Sequence, residues 1–304
     1  MDRLEVLVIG AGVIGRIYAC RLARCGHQVT VLARGATSTH IAAEGITLHE
    51  GAEVSNAEVR VVDAANGERY DLIMIAVRYE QRAGAIESAA RAAGGLVVPL
   101  FNNPLGLGPL RDRFGADRVV GVFPGVGGYL EADGSVRYHR IRQQPTTVAR
   151  NHGREQAVVH ALTDAGFAVA VTDDMDGWLA THAVFVVAVS AALERAGYSI
   201  ARLTGDRAAM TSMVRAIRSG FDALRNRGIT VSPAGLRIIF TRVPVTAAAW
   251  YWRRTLRGPL GSVAIVPHAR ATRNTEMAAL RADVAKLIPR GAAPEFDRLV
   301  GPLG

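Results

Sequence analysis

From Leu4 to about Thr172 the chain alternates short, nearly continuous apolar runs with stretches whose apolar residues recur at helical spacing. The runs Leu4–Ile9, Gln28–Ala33, Asp71–Val77, Gly95–Phe101 and Arg118–Phe123 have strand length and are rich in Val, Ile and Leu. Strands covered on both faces have that composition, whereas a half-solvated strand would alternate apolar and polar residues. Between them, Val13–Cys25, Gln81–Ala93 and Leu105–Phe114 have the period of helices. This β–α alternation predicts a doubly wound, mainly parallel sheet with right-handed crossovers. Ser135–Ile141 and Thr146–Arg150 read as a strand pair. Asn151–Ala165 follows as a helix that Gly166 stops, and Phe167–Thr172 as a last strand.

After Asp173 the pattern changes. Trp178–Ala196, Arg207–Arg227, Pro233–Phe240, Ala247–Leu256 and Val263–Leu287 all carry helical spacing, punctuated by Gly and Pro, and strand-like alternation does not return. Asp176 is the expected N-cap of the first of these helices. The chain therefore divides into an α/β domain over 1–173 and an all-helical domain over 174–304. The longest apolar run, about Ala183–Leu193, is broken by Ser190 and is shorter than a bilayer span.

The first strand runs directly into Gly10-Ala11-Gly12-Val13-Ile14-Gly15, which opens a helix. As a bare string this pattern is weak, but here it stands between a strand and a helix, where a Rossmann-type phosphate turn needs it. Gly10 permits the tight turn, Gly12 lets backbone approach a pyrophosphate, and Gly15 lets helix and strand pack closely. Free amides at the helix start then bind the phosphates. The second strand ends in Val31-Leu32-Ala33-Arg34, with no acid until Glu44. A carboxylate there would accept the ribose hydroxyls of NAD and repel a 2′-phosphate, whereas a guanidinium pairs with one. The expected cofactor is NADP(H), with Ser38, Thr39 and His40 as further donors.

Composition changes this picture little. The 304 residues suit two medium domains, and 49% apolar residues fit a globular protein. Met1–Gly10 enters a strand pattern without the basic and apolar segments of a signal peptide, so a cytoplasmic location is expected. The two cysteines, Cys20 and Cys25, match no metal-ligand spacing, and no metal is expected. The formal charge is +9, but the arginines are scattered without a compact basic run. An anionic cofactor or substrate and ordinary surface account for the excess better than a nucleic acid does. Lys286 is the only lysine.

The Gly10–Gly15 turn, Leu32-Ala33-Arg34, Ile75-Ala76-Val77-Arg78, Leu100-Phe101-Asn102-Asn103, Gly121-Val122 and Trp178-Leu179 together resemble the ketopantoate reductase family. The resemblance runs over nearly the whole chain and is looser in its second half. It implies a Rossmann domain followed by a helical substrate and dimerisation domain, with the active site in the cleft between them. It also implies that the backbone of Gly10, Ala11, Gly12, Val13, Ile14 and Gly15, together with Arg34, Val77, Arg78 and Asn102, holds the cofactor. Arg78 takes the place of a basic residue near cofactor and substrate, and Asn102 that of an Asn orienting nicotinamide and substrate. Asn103 reads equally well as a turn residue before Pro104.

One departure bears on the chemistry. Family reductases carry a proton-donating Lys two residues after the Trp of the first C-terminal helix, with Asn four and eight residues beyond it. Here those places are Ala180, Val184 and Ala188. The family's acid-bearing C-terminal motif finds no convincing counterpart either. An apolar face at Ala180, Val184 and Ala188 implies a larger, less polar substrate than ketopantoate, of the kind found in secondary metabolism.

Reduction still requires stabilisation of the developing alkoxide. His182, one turn after Trp178, is the candidate proton donor or orienting group, and a core histidine with a satisfied hydrogen bond is the open alternative. Arg78 and Asn102 complete the catalytic set. His268, Thr272 and Glu276 fall four residues apart on one expected helix, where a solvated face is the simpler reading. Three functions follow: an NADPH-dependent reductase of a small oxo or unsaturated compound, a repurposed member catalysing a non-redox isomerisation or cyclisation, or a non-catalytic nucleotide-binding protein. The apolar helices of the second domain also allow a homodimer.

Overall fold

The computed structural model describes residues 3–301. Met1 and Asp2, which open the stretch read as lacking a signal peptide, lie outside it, as do residues 302–304. The chain forms two compact units. The first comprises the described residues up to Phe101 together with Leu107–Asp173, and the second comprises Asn102–Gly106 with the described residues from Asp174 onward. The contiguous division at 173 therefore misses a five-residue excursion that joins Asn102 to the helical unit.

The first unit is mixed α/β, as the pattern predicts. Strands β1 (Glu5–Ile9) and β2 (Gln28–Leu32) flank helix α1 (Val13–Arg24) in sequence, and α2 (Gly35–Glu44) follows. Then come β3 (Ile46–Glu50), β4 (Glu53–Ala57), β5 (Arg60–Val62), β6 (Leu72–Ile75), α3 (Arg82–Ala90) and β7 (Leu96–Pro99). The main sheet has the order β5-β2-β1-β6-β7, and every pairing in it is parallel. Val6, Leu7 and Val8 of β1 are wholly buried, because the strand lies inside the sheet with cover on both faces. The chain leaves β1 toward β2 on one side and returns to β6 on the other. Such a reversal of strand order opens the crevice where doubly wound sheets bind nucleotides, at the C-terminal strand ends.

After α4 (Gly108–Phe114) come β8 (Val122–Phe123), β9 (Val126–Leu130), β10 (Val136–Arg140), β11 (Thr146–Ala149), α5 (Glu155–Asp164) and β12 (Val169–Thr172). These build two smaller sheets, in the orders β4-β3-β10-β9 and β12-β11-β8. Here two expectations fail. The stretch Arg118–Phe123 does not form a sixth parallel strand: it makes one parallel bridge, Val97 to Val119, and then turns into β8, antiparallel to β11. The expected pair Ser135–Ile141 and Thr146–Arg150 does not pair with itself, since β10 bonds β9 and β3 while β11 bonds β12 and β8. Strands β3 to β5 and helix α2 were not predicted, being short and half-exposed with polar residues interspersed.

The second unit is all-helical. It contains α6 (Met175–Arg195), α7 (Ile200–Gly205), α8 (Arg207–Asn226), α9 (Ala234–Thr241) and α10 (Val245–Leu256). A π-helical turn over Leu260–Ile265 leads to α11 (Val266–Thr272), α12 (Glu276–Leu287) and α13 (Pro294–Val300). The cap of α6 is Asp174, whose carboxylate accepts from the Gly177 amide at 2.8 Å, in place of the expected Asp176. By length and composition α6 could cross a membrane, contrary to the short apolar run read from sequence, but 78% of its most apolar window is buried within the protein. It is a core helix. Gly220 of α8 lies so close to it that an added Cβ would stand 2.6 Å from Val184 Cγ1.

Candidate functional site

Three cofactor candidates converge at the C-terminal edge of the main sheet. Ile9 of β1 stands opposite Ile75 of β6 and Leu32 of β2, so Gly10, Val77 and Arg34 each emerge just beyond a strand end. The Gly10 amide donates to Leu32 O at 3.3 Å, and the Ala76 amide to Ile9 O at 2.8 Å. Gly10 has φ +105°, and a Cβ there would meet Ala76 O at 2.5 Å and Val77 Cγ1 at 2.8 Å. A Cβ on Gly15 would collide with the Gly10 carbonyl. Both glycines are therefore required by the fold itself.

Gly12 is different. It is the N-cap of α1 with φ −76° and ψ −167°, a conformation open to any residue, and a Cβ there would meet nothing within 4 Å. The fold gives no reason for glycine at this position. A ligand backbone pressed against the helix start does, because α1 has no side-chain cap and its first amides have no partner within the helix. The residues present fit a pyrophosphate.

Sequence reasoning overlooked Arg16 in the first turn of α1. It is 5% exposed, its Nε donates to Ala11 O at 2.8 Å and its Nη1 to Gly134 O at 2.6 Å. Burial lowers its pKa, yet the guanidinium stays charged and pins the turn to the loop between β9 and β10. A long polar side chain within an amphipathic helix gave no signal of this.

Arg34 caps α2 in extended geometry and is exposed, its Nε 3.5 Å from the Asp63 carbonyl oxygen at the far end of β5. Arg78 is also exposed, at the N-cap of the short turn Tyr79–Gln81. No carboxylate pairs with either guanidinium among the described residues, so both charges are open to an anion.

The remaining site residues belong to the helical unit. Asn102, three residues past the end of β7, donates from Nδ2 to Glu276 Oε1 at 2.7 Å. Its Oδ1 is buried with no hydrogen-bond partner. His268 Nε2 stands 3.6 Å from Glu276 Oε2. His182 stacks on Trp178, with ring centroids 5.2 Å apart and planes at 7°. Burial first, and the neighbouring His268 second, push the His182 imidazole down to about 3. Asn103 closes a turn, donating from Nδ2 to Gly106 O at 2.6 Å.

Two expectations about this unit need correction. Val263–Leu287 is not one helix, because the chain breaks at Arg273–Thr275 and α12 starts afresh at Glu276. Thr272 and Glu276, read as a solvated face, are 1% and 3% exposed, and the break brings His268 and Glu276 together directly. Ala180, Val184 and Ala188 are 3%, 0% and 0% exposed. They are core residues, Val184 packing over Gly220, so they give no measure of substrate size.

Comparison with known proteins agrees with this architecture. Residues 6–153 match the family model of ketopantoate reductase PanE/ApbA, which relates that part of the chain to the family. A 2-dehydropantoate 2-reductase of Pyrococcus abyssi is 25% identical over 135 residues, a stretch covering 44% of each chain. Among solved structures, a 2-dehydropantoate 2-reductase from Geobacter metallireducens has a TM-score of 0.78 at 17% identity, covering 97% of both chains. A PanE/ApbA family ketopantoate reductase from Ralstonia eutropha has 0.74 at 20%, covering 97% of this chain and 96% of its own. D-mandelate dehydrogenase, in a complex with NADH and anilino(oxo)acetate, has 0.73 at 14%, with the same coverage. These likenesses establish a shared fold.

Proposed function

We propose that the protein is an NADPH-dependent reductase of a small oxo or unsaturated compound other than ketopantoate, built on the ketopantoate reductase plan. The observation that carries this reading is Gly12, a glycine the fold does not need, placed where a dinucleotide's pyrophosphate would rest. The family match over 6–153 and the NADH bound by the mandelate dehydrogenase neighbour support it. NADPH, when bound, supplies the hydride. The amides at the start of α1 bind its phosphates, and Arg16 holds the turn that presents them. Arg34 pairs with the 2′-phosphate, and Arg78 offers positive potential at the strand edge. His182, uncharged at neutral pH, orients substrate by hydrogen bonding and does not act as the acid. The reading includes a small-molecule substrate, no nucleic-acid or membrane partner, a cytoplasmic location and a homodimer through the helical unit.

NADPH consumption across a panel of ketones, 2-oxo acids and enones tests the function. Oxidation with one or more of them supports it. Product formed with the cofactor present but unconsumed would replace it with the non-redox alternative. For cofactor choice, Arg34→Ala is expected to weaken NADPH at least tenfold, about 1.4 kcal/mol, while changing NADH little. Equal losses in a fluorescence titration of both cofactors would make Arg34 a surface residue.

A further inference from the structure

Arg207, Thr211 and Arg215 fall four residues apart in α8, so they share one face of that helix. Another face of the same turns is wholly buried through Met210, Met213, Val214 and Ile217, which fixes the helix in the core. Together with Ser212, Glu295 and Arg298, the exposed row lines a cavity of about 380 Å³. That lies within the range of about 300–1,000 Å³ typical of small-molecule pockets. The lining comes from α8 and α13 alone, both in the helical unit.

The charges of this lining do not balance. Three guanidiniums stand against one carboxylate. Glu295 is already engaged, accepting from Arg298 Nη1 at 2.8 Å. Among the described residues, Arg207 and Arg215 have no acidic partner. Two positive charges are thus gathered in one concavity, where they repel each other unless an anion lies between them. The hydroxyls there are uncommitted as well. Thr181, Thr204, Thr241, Thr255 and Thr272 each donate to the carbonyl four residues back in their helices. Thr211 and Ser212 make no such bond among the described residues. The first amides of α8 take no part, because the Asp206 carboxylate accepts from Ala208 at 2.7 Å and from Ala209 at 3.0 Å. The site is therefore built by side chains.

We propose that this cavity binds the phosphate group of a small molecule, held between Arg207, Arg215 and the Thr211 hydroxyl. A phosphate monoester carries a charge of about −1.5 to −2 at neutral pH, which matches the two uncompensated guanidiniums. Its three terminal oxygens accept from both forks and from a hydroxyl, whereas a carboxylate has two oxygens and a single charge. The volume leaves room for an organic part beside the phosphoryl group. This site goes beyond the reductase reading and does not depend on it, since it draws on no residue of the Gly10–Gly15 turn.

The test is a calorimetric titration of the full-length protein at low ionic strength with inorganic phosphate, with glycerol 3-phosphate, and with glycerol as the control without phosphate. Saturable binding is expected for one or both phosphates and none for glycerol. Arg207→Gln and Arg215→Gln are each expected to weaken that binding at least tenfold while leaving NADPH affinity unchanged. Both side chains are exposed, so the variants are expected to keep the thermal midpoint. Gly12→Val is expected to bind both phosphates as wild type does. Failure of wild type to bind either phosphate, or undiminished binding in both arginine variants, would overturn the assignment. So would a loss confined to Gly12→Val, which would move the phosphate to the glycine turn.

Discussion

Wild-type protein saturated with NADPH is expected to reduce ketopantoate negligibly. Carbonyl reduction builds charge on oxygen, and a site without donors placed for that substrate cannot stabilise it. The positions that resemble the family's Lys and two Asn are Ala180, Val184 and Ala188, buried apolar residues that offer no donor. A carbonyl oxygen placed as the family places it would meet no donor at those three positions, and sites lacking a required hydrogen bond discriminate by about 10⁴–10⁵. Absorbance decay of NADPH with ketopantoate checks this. Turnover within tenfold of the best panel substrate would show that another group does the work of the missing lysine for ketopantoate itself.

Gly12→Val is expected to weaken NADPH binding at least tenfold, about 1.4 kcal/mol, with the thermal midpoint preserved. The new side chain enters space that is open in the protein, and the extended backbone at Gly12 suits a β-branched residue. Stability is thus untouched, while the methyl groups occupy the path of the pyrophosphate. Gly10→Ala and Gly15→Ala would not test the same thing, because their Cβ atoms collide with backbone and unfold the turn. Unchanged NADPH affinity in folded Gly12→Val would place the cofactor elsewhere or nowhere.

What the chain disclosed depended on how strongly its residues repeat a pattern. The parallel strands β1, β2, β6 and β7 were legible because their apolar runs are buried on both faces. The sheet β4-β3-β10-β9 was not, since Glu53–Ala57 is mostly exposed and Val126–Leu130 contains two glycines. The glycine turn could be read because Gly10 and Gly15 each have a steric task in it. The pairing of His268 with Glu276 was hidden by a helix break at Arg273-Asn274-Thr275, a stretch without Gly or Pro to announce it. Asn102 was singled out, but its partner on α12 lies 174 positions away, a separation no local pattern encodes.

The central claim is that this chain uses NADPH as a hydride source. The most direct measurement supplies NADPH carrying deuterium on the transferable nicotinamide position, together with the carbonyl panel, and analyses products by mass spectrometry. The account predicts one deuterium at the former carbonyl carbon, or at the enone β-carbon, of the favoured substrate, with NADP⁺ formed in equal amount. Product without deuterium, or no loss of NADPH with any compound despite bound cofactor, would contradict it.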